Sequence, residues 1–152
     1  MDSSNILQNF PLIAALTSWL VAQVIKVPLT YLTTRNWDWT LLLRAGGMPS
    51  SHSALVASVA HAIGLSQGYG TPLFALCFVL AVIVIYDATG IRRQAGKHAT
   101  IINKMITDLA SGHPLKQEEL REVLGHTPLE ALAGTLLGIA IAQIFWLIWQ
   151  PV

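Results

Sequence analysis

The sequence predicts an all-α membrane protein, a polytopic helical bundle of about four spans with an amphipathic helical insertion before the last span. The chain of 152 residues is 53% hydrophobic and only 11% charged, whereas a soluble domain has about a quarter charged residues. Three apolar runs approach the roughly 20 residues that a spanning helix needs. With about four spans, all 9 Lys and Arg residues fall on one membrane side or at its edge. We expect a single membrane-embedded domain over residues 1–152.

The first apolar run extends from Phe10 to Tyr31 and is interrupted by Lys26 near its end. No basic residue and no processing site mark it as a cleaved signal, so we interpret it as a retained span. The connection that follows is polar and carries Trp37 and Trp39, a pair typical of the membrane interface.

The remaining runs differ in character. The run from Ser50 to Ser66 is rich in Ala, Ser and Gly, which suits a helix packed among other helices rather than one facing lipid. The run from Thr71 to Tyr86 is uncharged and contains Cys77, the single cysteine, which excludes an intrachain disulfide. The last run, Pro128 to Trp149, has one acidic residue, Glu130, near its start.

The long connection before the last run holds most of the charges. Apolar residues recur in it at helical spacing, with charged residues between them: Ile101, Ile102, Met105, Ile106 and Leu109, with Lys97, Lys104 and Asp108. This pattern predicts an amphipathic helix that lies either on the membrane surface or against the spans. The segment LKQEELREVL, residues 115–124, predicts a short charged helix after it.

The stretch GGMPSSHSALVASVAHAIG, residues 46–64, places its polar and turn-forming residues at a helix start. A helix N-terminus exposes unpaired N–H groups and binds anions. Ser50 can cap this helix, and His52 in its first turn can protonate a leaving oxygen or bind phosphate. An ordinary capped helix with an interfacial histidine is the alternative. His61, in the middle of the helix, is expected to pack or to make a local hydrogen bond.

A second helix start, GHTPLEALAG, places His126 and Glu130 four residues apart. At that spacing the two share a helix face. A carboxylate bonded to one ring nitrogen fixes the tautomer and leaves the other nitrogen free to attack. Thr127 to Glu130 also matches the S/T-x-x-E capping box, with Pro128 at the first helical position. Because one carboxylate would serve both roles, we expect them to compete.

Both helix starts are predicted on the side that carries the basic residues. Phosphate chemistry needs fixed cations, backbone donors, a nucleophile and an acid. Lys26 lies near the end of an apolar span, where an ammonium is unfavourable unless it is paired or reaches the interface. Alternatively, the cations only orient the protein in the membrane.

The motifs MPSSHSA and GHTPLEALAG together resemble the divergent branch of the type-2 phosphatidic acid phosphatases, in a superfamily that includes the vanadium haloperoxidases. The intervening YDATGIRRQAG is similar to this branch as well. The pattern of the superfamily is K-x(6)-R-P, then P-S-G-H, then S-R-x(5)-H-x(3)-D. The resemblance covers residues 26–134. It implies hydrolysis of a phosphate monoester or diphosphate on a lipid through a phosphohistidine.

The resemblance also implies roles for the matching residues. His126 would be the nucleophile, oriented by Glu130 in place of the usual aspartate, and His52 would be the general acid. Lys26 would hold phosphate oxygens. The other candidate phosphate-binding residues are Ser50, Ser51, Arg35, Arg44, Arg92 and Arg93.

The chain departs from the superfamily pattern at three places. Ser51 replaces the glycine of P-S-G-H, Thr33 stands where R-P would begin, and no S-R pair is spaced correctly before His126. These departures, and the change from aspartate to glutamate, favour an alternative: a non-catalytic membrane protein that retains an anion pocket for lipid headgroups. A small transporter is a weaker alternative, because the spans lack a polar relay near mid-membrane.

We expect no metal and no organic cofactor, because basic residues would stabilise the charge that Mg²⁺ neutralises elsewhere. The expected partners are a lipid phosphate substrate and membrane lipids, with no nucleic acid; the oligomeric state is left open. Positive-inside bias predicts an active face in the cytoplasm, at a bacterial-type plasma membrane or an equivalent organelle membrane. That orientation favours phosphatidylglycerophosphate, with phosphatidate and isoprenyl phosphates as further possibilities.

Overall fold

The described part of the chain is helical. The structure, a computed structural model, describes residues 6–43, 46–110 and 126–149, except for the side chains of residues 91–94, 97, 108 and 110. Its α-helices are α1 (Phe10–Thr34), α2 (Ser51–Gln67), α3 (Pro72–Thr89), α4 (Ile91–Ala110) and α5 (Pro128–Trp149), with 3₁₀ turns at Ile6–Gln8 and Trp39–Leu42. The all-α prediction is confirmed. The charged helix predicted at 115–124 lies outside the described residues.

Three of the described helices, rather than the predicted four, are long and apolar enough to cross a membrane. These are α1, α3 and α5. The fourth predicted span corresponds to α2, which has 17 residues. Four of them are serines and two are histidines, and ten of the 17 are buried. Because α2 is surrounded by other helices, it does not need the apolar surface of a span that faces lipid. The prediction that this stretch packs among other helices is confirmed.

The central helix α2 contacts α1, α3 and α5. At the start of α1, Phe10 and Ala14 form a buried cluster with Ala62 and Ala142, which lie in the second halves of α2 and α5. The helix α1 therefore runs antiparallel to α2 and α5, which run parallel to each other. This arrangement collects the end of α1 and the starts of α2 and α5 at one end of the bundle.

The end of α3 reaches the same place. The backbone N–H of His126 donates to the carbonyl oxygen of Ala88 at 3.0 Å. Two helix ends and two helix starts thus meet at one end of the bundle, which we call the site end.

Two glycines on α5 set its close approach to α2. A Cβ atom at Gly134 would lie 2.2 Å from the carbonyl oxygen of Ser50, and one at Gly138 would lie 2.2 Å from that of Ala54. Only glycine permits backbones to pack at this distance, as in other helix pairs of the small-xxx-small type. The Ser50 N–H also donates to the Glu130 carbonyl oxygen at 2.9 Å, which ties the start of α2 to the first turn of α5.

A hydrogen-bonded cluster ties the bundle together further from the site. His61 Nε2 lies 3.1 Å from Gln143 Oε1, and the Tyr69 hydroxyl lies 3.0 Å from His61 Nδ1. The ring of Tyr69 also covers Gly64, where a Cβ atom would lie 2.3 Å from the ring. These contacts join α2 to α5 and to the α2–α3 connection. They confirm the local hydrogen bond expected for His61.

Aromatic side chains surround the end of α1. Tyr31 stacks on Trp37 with ring centroids 4.4 Å apart, and Trp37 stacks on Trp39 at 5.7 Å. Both tryptophans are exposed. Tryptophan is enriched where a membrane protein meets the headgroup region, and exposure at the site end is what the predicted interfacial position of this pair requires.

Candidate active site

The histidine at the start of α5 is held by a carboxylate one turn away. His126 Nδ1 lies 3.1 Å from Glu130 Oε2, and His126 is only 5% exposed. Because a carboxylate only accepts hydrogen bonds, Nδ1 is the nitrogen that carries the proton. The other ring nitrogen, Nε2, then keeps the lone pair with which an imidazole attacks an electrophile.

Glu130 performs its two predicted roles at once. Its Oε2 atom accepts from the Thr127 N–H at 3.1 Å, and the Thr127 hydroxyl accepts from the Glu130 N–H at 3.3 Å. This is the complete reciprocal capping box. The expected competition does not arise, because one carboxylate oxygen accepts both from the Thr127 backbone and from His126. The cap holds the carboxylate in place, and the carboxylate orients the imidazole.

Lys26 of α1 lies fully buried at the same end of the bundle, with 0% of its surface exposed. Its ammonium donates to Gln23 Oε1 and, at 3.4 Å, to the Ser51 hydroxyl. Electrostatic attraction to the Glu130 carboxylate adds to these bonds. A buried ammonium is tolerated only with such partners. Through them, Lys26 connects α1 to the starts of α2 and α5.

Gln23 belongs to this site, although the sequence analysis did not identify it. It is 6% exposed, and besides accepting from Lys26 it donates through Nε2 to the carbonyl oxygen of Leu42 at 3.0 Å. It therefore connects the lysine to the turn at Trp39–Leu42. The sequence feature that could have revealed Gln23 is its position three residues before Lys26 in an otherwise apolar run. Residues three apart are neighbours on a helix, so the amide can reach the ammonium.

The serines at the start of α2 are buried against the site. The Ser50 hydroxyl accepts from the Ser53 N–H at 3.3 Å and from the Ser53 hydroxyl at 3.0 Å, which confirms Ser50 as the cap of α2. The Ser51 hydroxyl contacts Lys26 instead. His52 follows in the first turn and is half-buried. The backbone bond between Ser50 and Glu130 places this turn beside the turn that carries the histidine of α5.

Among the four predicted arginines, Arg35 has a described side chain, and it does not join this cluster. Arg35 is exposed and caps the end of α1 in a left-handed conformation, with φ at 59°. It lies nine residues beyond Lys26, which is about 13 Å along a helix axis. Arg44 lies outside the described residues. Arg92 and Arg93 lie in the first turn of α4, but their side chains are outside the described part, so their contribution to phosphate binding stays a prediction.

The chemistry available at the site end is that of anion binding and nucleophilic attack. Two helix N-termini, a buried ammonium, an oriented imidazole and a second histidine meet there, a set that suits phosphate. Within residues 6–43, 46–110 and 126–149, no group of three or more His, Cys, Asp or Glu side chains could hold a metal ion.

The fold and the site define a helical integral membrane protein with a histidine-centred polar site at one end of its bundle. The chain belongs to the Divergent PAP2 family, which it matches over residues 7–141. The resemblance drawn from its two motifs is thereby confirmed at the level of the family. The chain is also 43% identical over 150 residues, covering 91% of this chain and 95% of the relative, to the uncharacterized membrane protein YuiD of Bacillus subtilis (strain 168). No solved structure matches the chain.

Proposed function

We propose that this PAP2-related membrane protein is a lipid phosphate phosphatase that works through a phosphohistidine. The observation that carries the proposal is the hydrogen bond of 3.1 Å between His126 Nδ1 and Glu130 Oε2 at the start of α5. It gives the imidazole the tautomer that a nucleophile needs. The resemblance of MPSSHSA and GHTPLEALAG to the family's motifs supports the same assignment.

The proposed reaction has two steps. In the first, His126 Nε2 attacks phosphorus in line, the bond from phosphorus to the lipid oxygen breaks, and His52 gives that oxygen its proton. In the second, water attacks the phosphohistidine, the bond from phosphorus to nitrogen breaks, and the water proton passes to His52. Inorganic phosphate leaves, and both histidines return to their starting protonation states.

Charge stabilisation in this scheme comes from fixed groups of the protein. Glu130 stabilises the imidazole as positive charge develops on it, and the α2 N-terminus offers backbone N–H groups to phosphate oxygens. The ammonium of Lys26 supplies positive charge behind Ser51. The predicted arginines would add to it.

The proposed substrate is a phosphate monoester or diphosphate on a lipid, with phosphatidylglycerophosphate as the first candidate. This choice depends on the proposal that the site end faces the cytoplasm. A phosphate group in the headgroup region would meet the site end at the depth that Trp37 and Trp39 mark. Phosphatidate and isoprenyl phosphates share the same reacting group.

A non-catalytic protein that binds lipid headgroups is the second candidate. The burial of Lys26 favours it, because the ammonium is 0% exposed and is bonded within the protein. A site of that kind would recognise an anion through the two helix starts without cleaving it. Turnover distinguishes the two candidates.

The test is phosphate release by purified protein from a panel of lipid phosphates and from an aryl phosphate. We expect His126→Ala to abolish turnover of every substrate and to form no phosphoenzyme. We expect His52→Ala to fail on lipid phosphates and to recover in part on the aryl phosphate, whose leaving group needs no proton. His98→Ala, at an exposed position on α4, is the matched control. Full activity of His126→Ala on any substrate would contradict the proposal, and headgroup binding by an inactive wild type would support the second candidate.

A further inference from the structure

The helix α4 presents a row of uncovered apolar side chains. Ile101, Ile102, Met105 and Leu109 are all exposed, with Leu109 at 77% and Met105 at 58%. At 100° per residue these four positions lie on one face of the helix. Thr107, which is also exposed, lies on the opposite face. The amphipathic helix predicted from the sequence is therefore present, and its apolar face is open.

The described part of the bundle does not cover this face. Among the described elements, α4 contacts α3 alone. Nor is α4 itself one of the helices that are apolar enough to cross a membrane. A contiguous apolar stripe of this kind is unfavourable in water and marks a surface that contacts lipid or protein.

Position and charge identify the partner. One residue, Gly90, separates the end of α3 from the start of α4, so α4 begins at the site end of the bundle. The exposed Trp37 and Trp39 lie at the same end, and such residues are typical of the headgroup region. Its 20 residues include four Lys and Arg and one Asp. A helix that combines an apolar face with a basic polar face binds in the plane of an anionic membrane surface.

We infer that α4 lies in the headgroup region at the site end, with Met105 and its apolar neighbours against the acyl chains and the exposed Lys104 against anionic lipid. This surface goes beyond the proposed reaction and does not depend on it. It gives the protein a contact with anionic phospholipid beside the end of the bundle that holds His126.

The test places one environment-sensitive fluorophore on each face of α4 in the full-length protein. Met105→Cys and Thr107→Cys, each in a Cys77→Ala background, are labelled and reconstituted in vesicles. The vesicles contain phosphatidylcholine alone or phosphatidylcholine with phosphatidylglycerol, with and without bromine on the acyl chains. Bromine quenches only a fluorophore that reaches the acyl region, and aqueous iodide quenches only one that is in water.

We expect bromine to quench the label at Met105 and iodide to quench the label at Thr107. Phosphatidylglycerol should increase quenching by bromine at Met105, and added salt should reverse the increase. Lys104→Gln should weaken the preference for anionic lipid about fivefold, the effect of one basic residue near such a surface. Iodide quenching at Met105 would overturn the inference. Protection from both quenchers would also overturn it, because residues 111–125 or a second copy of the chain would then cover the face. Bromine quenching that does not depend on phosphatidylglycerol would exclude anionic lipid as the partner of α4.

Discussion

Replacing Gly134 with alanine tests whether the contact between α2 and α5 holds the site together. The new Cβ atom would lie 2.2 Å from the Ser50 carbonyl oxygen, 3.0 Å from its carbonyl carbon and 3.1 Å from its nitrogen. All three are backbone atoms, so no side chain can swing away to make room. The two helices must separate by about 1 Å at this point to restore an ordinary contact.

Stability and chemistry should both respond to that separation. Overpacking of this kind costs about 1–3 kcal/mol, which for a chain of this size lowers the melting temperature by roughly 2 to 12 °C. The shift also lengthens the bond of 2.9 Å between the Ser50 N–H and the Glu130 carbonyl oxygen. Because this bond places the first turn of α2 beside His126, a displacement of ~1 Å is expected to reduce turnover by about 100-fold.

Thermal unfolding of the purified protein, followed by tryptophan fluorescence, measures the first effect, and phosphate release measures the second. Gly70→Ala is the matched control, because a Cβ atom at Gly70 would meet nothing within 4 Å. A melting temperature equal to that of the wild type for Gly134→Ala would refute the close contact and the argument built on it. If the melting temperature falls but the protein keeps full turnover, the α2–α5 contact stabilises the fold and the geometry of the site does not depend on it.

Three further predictions follow from the site and from its place in the membrane. Gln23→Leu removes an acceptor from the buried Lys26 and should lower the free energy of unfolding by about 1–3 kcal/mol in a denaturation series; unchanged stability would mean that the glutamine is not needed. Excess chelator should leave turnover intact, because fixed cations stabilise the charge in the proposed reaction; a loss that Mg²⁺ restores would reveal a metal site. In a Cys77→Ala background on intact cells, an impermeant maleimide should label Gln67→Cys and spare Asn36→Cys if the site end is cytoplasmic; the reverse pattern would place that end outside.

Most of the fold could be predicted from the sequence because apolar runs in a membrane protein have few alternatives to helix. The runs from Phe10 to Tyr31 and from Thr71 to Tyr86 became α1 and α3 with small changes at the ends, and α5 has the predicted limits. The count of spans was less predictable. Hydropathy measures the fit of a helix to lipid, whereas α2 is buried in protein, and burial depends on the packing of the whole bundle.

The candidate site was predictable where its geometry is local. The spacing of His126 and Glu130 fixes their contact within one helix turn, and the Ser50 cap of α2 follows from the same short-range rules. Sequence spacing does not give interatomic distances. It therefore could not predict that one carboxylate oxygen of Glu130 accepts both from the Thr127 N–H of the cap and from the imidazole of His126. Gln23 was not identified from the sequence because its second partner, the Leu42 carbonyl, is 19 residues away in a turn without periodicity. The position of Arg35 depends on the same irregular connection.

The partners of Lys26 show why the site and the bundle assemble together. The ammonium contacts Gln23 from its own helix and Ser51 from α2, and it is attracted to Glu130 from α5. A partial assembly that lacks α2 or α5 leaves this charge in an apolar span with fewer partners, which is unfavourable. The close approach at Gly134 places the starts of α2 and α5 side by side, and this brings Ser51 and Glu130 together as partners of the ammonium. Conditions that separate these two helices are therefore expected to disrupt the site and destabilise α1 in the same step.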